Sequence, residues 1–111
     1  MTDPLWQVEL SPTFIRKVRT LKKRYPSIQQ DLEPIIQQLQ AGEMLGDQIP
    51  GVGNPAFKVR IRNRDIQKGK SAGYRLIYYV KMSQKIVLLT LYSKSDQSDI
   101  TPQEIREILA E

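Results

Sequence analysis

Near the start of the chain Trp6, Val8 and Leu10 alternate with Gln7 and Glu9. A period of two predicts a strand over Leu5 to Leu10. After Ser11-Pro12 the period changes. Phe14, Val18 and Leu21 recur at helical spacing, Ile15 widens the stripe, and Arg16, Lys17, Arg19, Lys22 and Lys23 fill the other face. The pattern predicts a helix with a serine N-cap and proline at its first position. It ends at Tyr25-Pro26, because a residue before proline avoids the helical region. Ser27 opens a second helix with the stripe Ile28, Leu32, Ile35, Ile36 and Leu39, closed by Gly42. Pro34 conflicts with the middle of that helix: it donates no backbone hydrogen bond and crowds the turn before it. Either the helix kinks there or its regular part starts near Asp31. The tight link predicts an antiparallel helical hairpin.

Glu43 to Pro55, rich in glycine and proline, reads as a loop. Three strand patterns follow: Ala56 to Asn63, Gly73 to Lys81, and the almost wholly apolar Lys85 to Ser93, which suits a central strand. Met82-Ser83-Gln84 links the last two as a hairpin. Thr101-Pro102-Gln103-Glu104 is a capping box ahead of a short terminal helix with Ile105, Ile108 and Leu109 on one face. Helices followed by hairpin-linked strands argue an α+β fold. Its expected form is an N-terminal strand and helical hairpin packed on an antiparallel, roughly four-stranded sheet, with a short C-terminal helix.

Composition narrows the chemistry. The 111 residues read as a single domain, 1–111, with a core of ordinary apolar content. There is no cysteine, hence no disulfide framework or thiolate metal site. No apolar run approaches the roughly 20 residues needed to span a bilayer, and the N-terminus lacks the pattern of a signal peptide. A cytoplasmic protein without membrane partners is expected. There is also no histidine. The usual general base and the commonest neutral metal ligand are missing, so any catalysis falls to Lys, Arg, Tyr, Asp, Glu or a hydroxyl. No metal site and no cofactor are expected.

The net charge of +5 is unevenly spread. Seven of the 17 lysines and arginines lie between residues 57 and 75, against a single acid, Asp65. On a strand Lys58, Arg60 and Arg62 share one face, with Phe57, Val59 and Ile61 on the other. Such a row suits a phosphate backbone, or serves solubility and edge protection. Lys68-Gly69-Lys70-Ser71 has the look of a phosphate loop, but it opens a strand rather than a helix and lacks the upstream glycine, so nucleotide triphosphate binding is excluded. Lys68 and Lys70 remain as contacts for RNA or an acidic partner on a loop, or as a soluble turn. Arg75 lies mid-strand with Ile77 and Tyr79 on its face. A charge there needs a carboxylate partner or an open groove, and Arg can grip a phosphate with two parallel hydrogen bonds. Thr90 and Tyr92 share a face beside the basic row. Tyr92 can stack on a base, bridge a phosphate or transfer a proton, or it is simply a half-buried strand end. Lys94 can neutralise a leaving oxygen.

Taken together, KKRYPS at the helical turn, the Leu45 to Gly53 loop, FKVRI, GKSAGYRLIYYV and the LYSKSD end resemble the RelE/ParE superfamily of toxins from type II toxin–antitoxin modules, most closely its RelE and HigB side. The resemblance covers nearly the whole chain. It implies a RelE-like fold and a ribosome-dependent mRNA endonuclease held in check by a cognate antitoxin. Cleavage would use the substrate's own 2′-hydroxyl, without a metal, and would inhibit translation. By the same resemblance Lys58 and Arg60 act as base and charge stabiliser, Arg75 holds the scissile phosphate, Lys94 is the acid or leaving-group stabiliser, and Tyr92 stands beside it. Arg62, Lys68 and Lys70 would hold RNA. Pro50 stands where the family has an arginine, the C-terminal tyrosine of RelE-like toxins has no clear match, and the Arg64 to Ala72 loop is longer than in RelE. Two other readings carry the same fold: a ParE-like toxin that inhibits DNA gyrase, and a non-catalytic module that binds RNA or an antitoxin. The oligomeric state is open.

Overall fold

A computed structural model describes residues 5–66, 72–82 and 84–111. The elements run β1 (Gln7–Leu10), α1 (Pro12–Arg24), α2 (Ile28–Gln40), β2 (Asp47–Gln48), β3 (Ala56–Ile61), β4 (Tyr74–Lys81), β5 (Lys85–Ser93) and α3 (Pro102–Leu109). The α+β class, the helical hairpin, the three consecutive strands and the terminal helix agree with the sequence pattern. The sheet differs in two respects. It has five strands in the order β1-β5-β4-β3-β2, and β1 lies parallel to β5, so the sheet is mixed. β1 runs directly into the helical hairpin, so its place in the sheet depends on a contact remote in sequence. The fifth strand, β2, emerges from the glycine-rich loop. Gly46 makes it possible: its φ is +84°, and a Cβ there would sit 2.2 Å from the Lys58 carbonyl oxygen.

α1 begins where the N-cap pattern predicts. Ser11 Oγ accepts from the Phe14 amide at 3.0 Å and donates to the Leu89 carbonyl at 2.6 Å, so one side chain both caps the helix and ties it to β5. At the far end of the chain, the Glu111 carboxylate accepts from the amide and hydroxyl of Thr13 in the first turn of α1.

α2 runs through Pro34 without the late start that the sequence allowed. The carbonyl that Pro34 leaves without its helical donor is that of Gln30. Arg64 Nη2 approaches it at 3.5 Å, while Arg64 Nε donates to the buried Asp31 carboxylate at 2.7 Å. Ser27 makes no side-chain cap. Its amide instead donates to Asp65 at 2.8 Å. Arg64 and Asp65 therefore dock the segment after β3 onto the first turn of α2.

Two apolar layers result. α1 and α2 cover one face of the sheet, where Phe14, Leu21, Ile28, Leu32 and Leu39 pack on Val59, Ile61, Leu76, Tyr78 and Leu88. A smaller layer on the opposite face joins α3, through Ile105, to Val52, Ala56, Ile77, Leu89 and Ile100. Among the described residues no helix is long and apolar enough to cross a membrane.

Candidate functional site

The site grows from strand register. Alternation along β3 turns Val59 and Ile61 to the helices, while the other face runs from buried Ala56 through half-buried Lys58 to exposed Arg60. β4 pairs Arg75 with Arg60 and Ile77 with Lys58. β5 pairs Tyr92 with Arg75 and Thr90 with Ile77. Residues directly opposite across a sheet point the same way, with Cβ atoms about 5 Å apart. Arg60, Arg75 and Tyr92 thus form one transverse row, and Lys58, Ile77 and Thr90 the next.

This row depends on a bulge. Between Ile77 and Tyr78 the register with β5 shifts, so that Leu89 has no opposite residue. Val87 and Leu89 belong to the smaller core, and strict alternation from them would send Leu91 to that face and Tyr92 to the helices. The extra residue reverses the phase: Leu91 packs under the helices and Tyr92 joins the smaller core. Bulges often re-aim a side chain in this way beside a functional site.

The electrostatics fit the geometry. Arg75 is only 5% exposed. Burial, then the neighbouring charge of Arg60, lowers its pKa, with Tyr92 acting in the opposite sense. A guanidinium nevertheless keeps its charge, and Arg75 Nη1 donates to the Tyr74 carbonyl at 3.1 Å. Two arginines directly opposite cost stability, and an anion bound across them would offset part of that cost. Tyr92 is 4% exposed. Burial, followed by the charge of Asp99, pushes its pKa up to about 12, partly opposed by Arg75. Asp99 is thus near enough to act on the hydroxyl, although Tyr92 Oη makes no hydrogen bond of normal geometry. At neutral pH the group is a hydrogen-bond donor rather than a base. With its ring taken up by the smaller core and its hydroxyl buried, Tyr92 offers no stacking surface.

Asp99 is the residue that sequence reasoning missed. It sits in a polar stretch before the capping box and carries no periodic or motif signal. Lys58 Nζ donates to its Oδ1 at 2.8 Å. The bond to Lys58, with a second from the Ile100 amide, holds the carboxyl below its usual range. Asp47, on β2, is also the cross-strand neighbour of Lys58.

The remaining predicted residues divide. Lys94 follows β5, and its ammonium turns back onto the Ser98 carbonyl in its own turn, within the field of Asp99. Arg62 lies beyond the end of β3, exposed, and with Arg60 and Arg64 lines a cleft of about 520 Å³ beside α2. Lys68 and Lys70 lie outside the described residues. Of the seven cations between residues 57 and 75, Arg64 proves structural, since it belongs to Asp31.

Residues 15–110 match the family model of the RelE toxin of the RelE/RelB toxin–antitoxin system. That span takes in all of the site, and the chain belongs to the RelE toxin family.

Proposed function

We propose that this toxin is a ribosome-dependent mRNA endonuclease. Family membership supplies the toxin role and implies an antitoxin partner; the reaction rests on the site. The observation that carries it is the pairing of Arg60 with Arg75, with Tyr92 next in the row. Two guanidiniums fixed on a sheet can take the non-bridging oxygens of one phosphodiester and stabilise the charge that grows there, without reorganising during the reaction.

The 2′-oxygen of the preceding nucleotide attacks phosphorus. The O2′–P bond forms as the P–O5′ bond breaks, leaving a cyclic phosphate and a 5′-hydroxyl. Of Lys58 and Arg60, only the lysine can accept the 2′-hydroxyl proton, and only as the free amine after its ammonium has given up a proton, because an arginine in a protein does not give up its own. Tyr92, whose hydroxyl is buried beside Asp99 in the free protein, donates to the phosphate only once the turn that carries Asp99 moves aside. Lys94, released from Ser98, gives O5′ the proton that makes it a 5′-hydroxyl. In-line attack then depends chiefly on holding the nucleotide in place, a task shared by Arg62 and the lysines at 68 and 70.

The test is to express the protein and map mRNA 5′ ends on ribosomes, beside an Arg75→Ala control. Breaks at ribosomal A sites that disappear in the control are expected. Intact mRNA together with inhibited supercoiling by DNA gyrase would overturn the reading in favour of a gyrase toxin.

A further inference from the structure

The turn after β5 is built as a strap across the cationic row. Arg24 pairs with Asp96 at one side, Gln97 Nε2 donates to the Asp99 carbonyl at 2.9 Å, and Lys94 Nζ donates to the Ser98 carbonyl. These bonds hold Asp99 in place. Its Oδ1 accepts from Lys58 Nζ and from the Ile100 amide, both at 2.8 Å. Lys94 and Tyr92 also lie within the field of this carboxylate. An anion of the chain's own thus stands among three of the groups assigned above to the cleavage reaction.

We propose that the Asp99 carboxylate occupies the anion position of the cationic row, and that an RNA phosphodiester takes over Lys58 by displacing it. The inference rests on the proposed function in taking RNA as the incoming anion. A carboxylate and a phosphate accept the same charge-assisted hydrogen bond from an ammonium, so one can replace the other without altering Lys58. The exchange is accessible, since the side chains of Lys58 and Asp99 are 34% and 64% exposed. It is also cheap, because an exposed ion pair contributes little, whereas a diester bound at Lys58 also gains Arg60 and Arg75. Asp99 therefore keeps Lys58 screened until RNA arrives, and selects against weak anions that cannot engage the arginines.

The exchange leaves a signature in salt dependence. Each phosphate neutralised by a free cation releases counterions, with a slope of about −0.7 in log K against log salt for single strands. In the wild type Lys58 releases Asp99 instead, and contributes less to the slope. The experiment is fluorescence anisotropy with a 2′-O-methyl oligoribonucleotide, which cannot be cleaved, across a salt series. Asp99→Asn keeps an oxygen for the Ile100 amide and removes the charge. It is expected to bind about two- to fivefold more tightly at low salt and to steepen the slope by about 0.7. Both changes should vanish in the Lys58→Gln background. Asp96→Asn, in the same strap but paired with Arg24, measures the general effect of losing one negative charge. If Asp99→Asn and Asp96→Asn behave alike, if the gain persists without Lys58, or if no variant binds, the inference is overturned. Tighter binding by Asp99→Asn with no cleavage on ribosomes would overturn the nuclease reading and leave this one standing.

Discussion

The two faces of the sheet are made by the same three strands, yet they are built for different ends. The face under α1 and α2 is closed: Leu76, Tyr78, Ile86, Leu88 and Leu91 are each fully buried. The opposite face is apolar for only part of its area. Ile77, Leu89 and Ile105 fill one part, and Arg60, Arg75 and Lys58 occupy the rest. Burial on the first face supplies the stability that lets the second place two like charges opposite each other. Fixed charges are useful for catalysis because the fold, rather than the substrate, has already met the cost of bringing them together.

If the faces divide labour in this way, a cut in each should move a different observable. On the open face Arg75→Ala should lower the single-turnover rate of mRNA cleavage about 100- to 1,000-fold, the range seen when one charge-stabilising donor is lost. Arg75→Lys should recover little of it, because an ammonium cannot reproduce the two-pronged grip. On the closed face Leu88→Ala should cost about 2–5 kcal/mol in urea unfolding and leave the cleavage rate of the folded fraction unchanged. A loss of rate in folded Leu88→Ala as large as that in Arg75→Ala would break the comparison.

Between these extremes lies the edge of the sheet that serves both faces. Gly46→Ala puts a side chain where φ is +84° and the Lys58 carbonyl oxygen is 2.2 Å away. The backbone conformation alone costs about 1–2 kcal/mol, and β2 must shift off β3 to relieve the overlap. Reduced thermal stability is expected together with a lower cleavage rate, since Lys58 lies on the disturbed strand. A variant with native stability and native rate would show that β2 does not support the site.

What could be read from the sequence follows the same division. The helical stripes, the Ser11 cap, the capping box at Thr101 and the alternation of Lys58, Arg60 and Arg62 are periodic or local signals, and they placed the elements and most of the candidate row. The parallel pairing of β1 with β5 was hidden because it joins residues about 78 positions apart. Tyr92 was placed beside the row from its alternation with Thr90, and the structure agrees, but only because Leu89 is bulged out. A run as uniformly apolar as KIVLLTLYS carries no mark of where its phase reverses. Asp99 was illegible for a related reason: its importance lies in the lysine it meets, 41 residues earlier.

Two buried tyrosines on neighbouring strands give the finest test of the contrast. Tyr78, on the closed face, donates its hydroxyl to the Leu45 carbonyl at 2.6 Å. Tyr92, on the open face, has a buried hydroxyl with no bond of normal geometry. Tyr78→Phe should cost about 1 kcal/mol, whereas Tyr92→Phe should be neutral or slightly stabilising and still slow cleavage, because on the proposed mechanism the lost hydroxyl serves the substrate rather than the fold. Alkaline unfolding supplies an independent reading. Burial, the first cause in each case, raises both groups from 10.0 to about 12 in the folded chain. Below pH 10 both remain protonated whether the chain is folded or not, so their contribution is fully present. From pH 10 to 12 the unfolded chain loses these protons first, and stability falls as pH rises. Each phenylalanine variant should therefore lose stability less steeply than the wild type across that window, measured as the urea midpoint at successive pH values. Equal costs for the two variants at neutral pH would mean that Tyr92 has a partner in the fold after all. Its hydroxyl would then be part of the smaller core, and the functional row would end at Arg75.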